Sequence, residues 1–332
     1  MSASMRAVRI DGPERVAPVR TPRPRPADGE VLVRVVSAAL CAVDRRLARH
    51  GTSTPRIPGH EIAGTLEDGT EVVVHPNIGC GTCGWCRAGF VNRCPDHEDL
   101  GRDRDGGLAE WIAVPVDHLV PLEGFDLGIA PLVEPLSAIV HAQSSLRVRD
   151  EDRVAVVGAG PLGILGTWLF RALGARVAVV QRSEERRRLA QELGAHAAVA
   201  PSEDIRRHLG GPPRAILVTA PGIEPLSWAL EQVAEGGTVH AFAGTVGGML
   251  VDANLVHYRH LTLVGSTGCT VQEMRQALQL ARSGAVPLAE LPRVTVALED
   301  VPAALLDPAP DPRILKVMVR PPGAVPDRSS YS

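Results

Sequence analysis

The stretch Arg153-Val-Ala-Val-Val157-Gly158-Ala-Gly160-Pro161-Leu162-Gly163-Ile-Leu-Gly-Thr-Trp-Leu-Phe-Arg-Ala-Leu173 decides the fold. Five residues of buried-strand character meet a glycine turn, and a helical run follows it directly. The glycines match G-x-G-x-x-G, with Pro161 and Leu162 filling the last spacer. Gly158 makes the tight turn, Gly160 lets the backbone approach a pyrophosphate, and Gly163 lets the helix pack closely on the strand. The helix N-terminus then faces the phosphates. Standing between a strand and a helix, the motif predicts a dinucleotide site.

The same alternation continues outward. A second strand, Arg176–Val180, follows Gly174, and a charged helix runs over Ser183–Leu193. Further apolar strands are expected at Ala215–Thr219, Thr238–Phe242 and Leu261–Gly265. About six strands alternating with helices predict a doubly wound parallel sheet of the Rossmann type, covered on both faces. Upstream the character differs: Pro22, Pro24 and Pro26 precede a strand Glu30–Val36, with short strands at Glu71–Val74 and Trp111–Val114. That part reads as β-rich and irregular. Downstream come an amphipathic helix, Val271–Arg282, a last strand, Ile314–Val319, and a Pro-rich end from Pro321 that reads as a frayed tail.

Composition limits the function. The chain has 332 residues, 45% hydrophobic and 22% charged, enough for about two domains and a sizeable core. Its net charge is -3, which argues against nucleic acid or an anionic membrane surface as partner. The longest apolar runs, such as Leu127–Val133, fall far short of the roughly 18 residues that span a bilayer. The first residues lack the apolar core of a signal peptide, so the expected place is the cytoplasm. Aromatic residues are only 3%, which makes the core aliphatic. All the basic residues but Lys316 are arginine.

Four of the six cysteines form a C-x2-C-x2-C-x7-C array: Cys80, Cys83, Cys86 and Cys94. Two-residue spacers on glycine turns let thiolates converge on one ion, and four thiolates close a tetrahedral zinc site. Iron or an iron–sulfur cluster accepts the same ligand set. A closed site does no chemistry, so its expected role is to staple a loop.

At the end of the second strand, where an NAD site carries Asp or Glu, the chain has Gln181, then Arg182, with Arg186 one turn on. Without the carboxylate a 2′-phosphate is not repelled, and Arg182 can pair with it. NADP(H) is therefore favoured over NAD(H).

Several motifs together resemble the zinc-dependent medium-chain dehydrogenase/reductase superfamily, and within it the polyol (sorbitol-like) and threonine dehydrogenase branch. They are Cys41-Ala-Val-Asp44, Gly59-His60-Glu61, the four-cysteine array, Asp105-Gly-Gly-Leu-Ala-Glu110, Glu134-Pro-Leu136 with His141-Ala142, the glycine turn, Leu193-Gly-Ala195 and Gly265-Ser266-Thr267. The likeness runs from about Arg6 to Arg320. It implies a Rossmann domain, residues 136–268, inserted in a GroES-like catalytic domain made of residues 1–135 and 269–332. It implies two zinc ions per chain: a structural one on the cysteine array, and a catalytic one on Cys41, His60 and Glu134. Glu61 would be an exchangeable or outer carboxylate, and Asp44 would accept a hydrogen bond from His60. Three protein ligands leave one position open, as catalysis needs.

The implied reaction is hydride transfer between nicotinamide C4 and a secondary alcohol or ketone, with a sugar, cyclitol or amino alcohol as substrate. Ser266 would lie near the carboxamide and Lys316 near the pyrophosphate. Relatives are homodimers or homotetramers. The chain departs from the family at Val43, where a Ser or Thr relays the alcohol proton, and at Arg46, often His. His50, Glu61 or a water would have to take over. An alternative, reduction of an imine or a conjugated alkene by NADPH, rests on the missing hydroxyl at Val43.

Overall fold

The apolar strands expected between Arg153 and Gly265 all form, and they form one sheet. The structure is a computed structural model and describes residues 4–307 and 311–323. The tail beyond Gly323 lies outside the described residues. Two compact units are present: one holds the residues up to Ser137, Cys269–Gln279 and those from Pro292 onward; the other holds Ala138–Gly268 and Leu280–Leu291. The return to the first unit is thus interrupted, because Leu280–Leu291 contributes its buried residues, Val286, Leu288 and Leu291 among them, to the second unit.

The second unit is built on six parallel strands. Their spatial order is Ala197–Val199, Arg176–Val180, Arg153–Val157, Ala215–Val218, Thr238–Ala241 and Thr262–Gly265. The order reverses at Arg153–Val157, the switch point beside which ligands bind in such sheets. Both faces of the central strands are buried, as runs of Val, Ala, Ile and Leu require. Helix Pro161–Ala172 starts with Pro161 in its first turn, after an extended Gly160. It stays buried from Gly163 to Phe170 and ends before Gly174, whose φ of 84° is left-handed.

Gly163 shows why the turn needs glycine. A Cβ there would lie 1.9 Å from the carbonyl oxygen of Gly158. Gly158 itself has a φ of 111°, a conformation that L side chains rarely adopt.

The first unit has a seven-stranded sheet and a separate hairpin, Ser4–Gly12 with Arg15–Pro22. The long strand Glu30–Leu40 is central. Its first half pairs with Trp111–Pro115, and its second half lies between Glu61–Thr65 and Lys316–Arg320, all antiparallel. Glu71–Val74 and Leu119–Pro121 extend one side, and Arg293–Ala297 joins Lys316–Arg320 in parallel on the other. The core beneath is aliphatic, with Ile10, Val33, Ile62, Leu108 and Val319 fully enclosed. The expected strand Glu30–Val36 runs four residues further, to Leu40. Ser37-Ala-Ala-Leu has low β-propensity, but buried pairing on both sides overrides it. This extension positions the site, because register places Val317 opposite Leu40 and Glu61 opposite Ala39. Cys41 and Lys316 follow in the same register, at one end of the sheet.

No helix among the described residues is long and apolar enough to cross a membrane.

Substituting Gly163→Ala should push the helix off the glycine turn and lower unfolding stability by about 1–3 kcal/mol, as overpacked sites do. Urea unfolding followed by circular dichroism measures this. A midpoint equal to that of the unsubstituted chain would refute the close-packing role.

Candidate active site and metal centres

Cys41 caps helix Ala42–His50, the helix that leaves the sheet end just described. Asp44, one turn in, is fully buried, and its two oxygens reach backwards. Oδ2 accepts the Cys41 amide at 2.8 Å and Oδ1 accepts the Gly59 amide at 3.0 Å. One carboxylate thereby fixes both chain segments that carry candidate ligands, Cys41 and His60-Glu61. The expected hydrogen bond from His60 to Asp44 is not formed. Nδ1 lies 3.8 Å from Oδ1, an electrostatic contact beyond hydrogen-bond range.

The ligand atoms of Cys41, His60 and Glu61 all lie within 4.8 Å of one another. Glu134, in the first turn of helix Val133–Leu146, is not in that group. The resemblance implied Cys41, His60 and Glu134 as ligands with Glu61 as an exchangeable or outer carboxylate; Glu61 is the carboxylate that falls within this cluster, and Glu134 stands near enough to His60 to raise its pKa. Glu61 opens the strand Glu61–Thr65 directly after His60, so both side chains leave one stretch of backbone.

Glu61 is buried with Lys316, whose ammonium donates to Oε1; the second oxygen, Oε2, is buried without a partner. A buried carboxylate oxygen with free lone pairs is costly unless something meets it, and a divalent cation suits it. The donor set of thiol, imidazole and carboxylate therefore fits zinc.

Charge in this cluster is tightly linked. Burial raises the Glu61 pKa, although Lys316 and His60 pull it down. Burial pushes Glu134 up to about 7, with His60 opposing and Glu61 adding to the rise. For His60, burial favours the neutral ring, but Cys41, Asp44 and Glu134 outweigh it and the pKa stands well above the usual imidazole value.

Lys316 is 5% exposed, and its ammonium is committed to Glu61. It was expected at a pyrophosphate. The structure gives it a nearer anion, a carboxylate that would otherwise be buried without a counter-charge. The sequence signal was the single lysine; its partner emerged only with strand register. Val43 is half-buried, while Arg46 and His50 are exposed on the same helix.

The four-cysteine array also closes. The Sγ atoms of Cys80, Cys83, Cys86 and Cys94 lie within 4.8 Å of one another. Three backbone amides point at these sulfurs: Cys80 donates to Cys94, Cys83 to Cys80 and Cys86 to Cys83, each at 3.4 Å. Such donors stabilise thiolates. Hydrogen bonds, first from the Thr82 side chain, lower the Cys80 pKa to about 6. Gly79 leaves room for the cluster, since a Cβ there would sit 2.5 Å from the Cys86 sulfur. Cys269, expected as a small core residue, is buried, accepts the Ser137 hydroxyl at 2.9 Å and joins neither cluster.

In the second unit an open crevice of about 750 Å³ lies along the carboxyl ends of the strands. Gly158, Gly160, Gln181, Arg182, Thr219 and Trp228 are among its walls. The Gln181 side chain accepts the Ser183 amide, and Arg182 is exposed. Arg186 is half-buried and donates to the Ala159 carbonyl, 3.3 Å away, so its guanidinium leans on the glycine turn. Ser266 is half-buried just beyond the last strand.

The family models for an alcohol dehydrogenase GroES-like domain and a zinc-binding dehydrogenase match residues 27–124 and 161–283. The chain belongs to the zinc-dependent medium-chain dehydrogenase/reductase superfamily. It is 32% identical to D-altritol 5-dehydrogenase of Agrobacterium fabrum, over 87% of this chain and 91% of the relative. It is 30% identical to L-threonine 3-dehydrogenase of Pyrococcus horikoshii, over 74% and 77%. Among solved structures, a Sinorhizobium meliloti protein described as a zinc-binding dehydrogenase, bound to NADP, superposes with a TM-score of 0.88 at 28% identity, covering 96% of this chain and all of that one. The chain is accordingly an NAD(P)-dependent alcohol dehydrogenase-type enzyme, and its two units are the GroES-like and Rossmann parts of that family.

Two substitutions test the centres. Asp44→Ala strands two buried amides and should cost about 2–5 kcal/mol in unfolding stability; a loss under about 1 kcal/mol would reject Asp44 as the tie between the ligand segments. Cys94→Ser should lower the zinc bound per chain by one ion relative to the unsubstituted protein, measured by plasma emission on both purified proteins. An unchanged zinc content would show that the array is not a metal site.

Proposed function

We propose that the enzyme oxidises a secondary alcohol, or reduces the matching ketone, of a polyol, cyclitol or amino alcohol, using NADP(H) in preference to NAD(H). The observation that carries the reading is the trio Cys41, His60 and Glu61, gathered within 4.8 Å, with a buried, unpartnered carboxylate oxygen on Glu61. It is supported by the names of similar proteins, which act on a sugar alcohol and an amino alcohol.

Cys41, His60 and Glu61 would hold the catalytic zinc, and the four-cysteine array a second, structural one. A zinc ion at the first site supplies Lewis acidity toward a substrate oxygen. Asp44 holds the two ligand segments in place, and Lys316 balances the Glu61 charge. Glu134, held near neutral pH by burial, lies close enough to both residues to respond to a change in site charge. Val43 offers no hydroxyl, Arg46 is a permanent cation, and Glu61 is engaged with Lys316. Of the groups weighed for the proton, His50 and water at the half-exposed Cys41 end of the helix are left to take it. Either route removes the reason for preferring imine or alkene reduction, and no observation favours that alternative.

NADP(H) is supported by the absence of a carboxylate at Gln181 and by exposed Arg182 on the crevice wall. Arg186 supports the glycine turn rather than a phosphate. Free thiols at both metal sets suit a reducing cytoplasm. A homodimer or homotetramer is supported by the edge strand Thr262–Gly265, which pairs on one side only among the described residues and has an exposed Leu263.

The test is turnover by the zinc-loaded protein with NADP+ and NAD+ against panels of sugar alcohols, cyclitols and amino alcohols. In the reverse direction NADPH is offered with ketones, cyclic imines and enones. At least one secondary alcohol should be oxidised, and His60→Ala should lower that rate at least about a hundredfold. Arg182→Ala should lower kcat/KM for NADP+ about tenfold and leave NAD+ nearly unchanged. Imine or enone reduction with no alcohol turnover would overturn the reaction class. A native preference for NAD+ would overturn the cofactor assignment alone.

A further inference from the structure

Strand register defines a level line across the parallel sheet. Val157, Val218, Ala241 and Gly265 stand opposite one another, so Gly158 and Ser266 each come one residue beyond the line. A dinucleotide on such a sheet puts its pyrophosphate at the glycine turn and spreads its two halves to either side. The Gln181 side takes the adenosine ribose, which leaves the rim beyond Thr238–Ala241 and Thr262–Gly265 for the nicotinamide.

His240 is the unexpected residue on that side. It belongs to a strand whose neighbours are apolar, and it is fully buried. Its Nε2 lies 3.0 Å from the Ser266 hydroxyl oxygen, while Nδ1 is buried with no hydrogen-bond partner. His240 pairs with Val264, so Ser266 is its diagonal neighbour on the same face of the sheet. Burial first, and then the nearby His141, lower its pKa to about 4, which keeps the ring neutral in ordinary buffers. A Val or Ile would fill this place without a stranded nitrogen. The one strong bond the imidazole makes is to a half-exposed hydroxyl on the cofactor rim.

We propose that His240 is a positioning residue for the nicotinamide end of the cofactor, fixing the Ser266 hydroxyl so that its remaining hydrogen-bonding direction faces the carboxamide. The inference rests on the nicotinamide-cofactor reading above. Ser266 touches the cofactor; His240 acts through it. The role is local to one half of the dinucleotide. Losing His240 therefore weakens the grip on nicotinamide and leaves the adenosine half untouched.

The experiment compares two ligands by calorimetric titration: the reduced dinucleotide that the unsubstituted enzyme binds more tightly, and ADP-ribose (or its 2′-phosphate), which lacks nicotinamide. In His240→Phe and in Ser266→Ala the dinucleotide Kd should rise about five- to tenfold, the worth of one hydrogen bond, with the ADP-ribose Kd unchanged. The double variant should lose no more than either single one. His240→Gln, whose amide still reaches Ser266, should recover most of the affinity. His240→Asn, too short to reach, replaces the Phe variant if that does not fold, and should show the same selective loss.

Dinucleotide affinity within twofold of the original in these variants overturns the inference. A parallel loss of ADP-ribose overturns it too, because that marks general damage to the sheet. If the unsubstituted enzyme binds neither ligand, the nicotinamide reading itself fails. If it binds both and the variants change nothing, only the role of His240 falls.

Discussion

The Asp44 carboxylate governs the catalytic end of the first unit. It is enclosed completely, and a buried anion persists only where donors surround it. Its donors are two backbone amides from separate segments, at Cys41 and Gly59. Because these bonds are to backbone, they set where the chain runs, and the thiol and imidazole follow. A charge that no substrate need touch thus decides the spacing of the groups that do the chemistry. The same pattern recurs in the cysteine array, where amides aimed at sulfur shape the loop around its thiolates.

The remaining charges are organised around Glu61. Its pairing with Lys316 unites a residue from the start of the chain with one near its end. The pairing exists because both strands flank Glu30–Leu40 in the same sheet. Taking two charges out of water is costly, and an ion pair repays this only partly. What remains is an oxygen with nowhere to bond, and the clustering of a thiol and an imidazole around it makes the region read as a metal centre rather than a structural salt bridge.

Much of this was legible in the residues. Glycine spacing between a strand and a helix announced the parallel sheet, because only glycine tolerates the 1.9 Å approach at Gly163. The four cysteines announced their own convergence, because ligand spacing within one loop needs no tertiary knowledge. Properties set by pairing between distant segments were not legible. Lys316 could be singled out as the one lysine, but its partner depends on register. Glu61 and Glu134 differ in their relation to His60 only once strand and helix directions are known. Nothing in the residue pattern singles out His240, because its contact with Ser266 depends on the register of two strands. The extension of Glu30–Val36 to Leu40 escaped for a related reason: alanines carry little strand signal, and the two flanking strands supply the preference instead.

The single lysine has one more consequence. Every other cationic side chain of this sequence at neutral pH is a guanidinium or, at most, a protonated imidazole, so the only ε-amine is the one enclosed beside Glu61. Reagents that acylate lysine side chains find no accessible target while the fold is intact. They gain one only when the last strand parts from the strand that ends at Leu40. The chain thus carries its own chemical reporter for opening of the active-site end, with a background at lysine side chains close to zero.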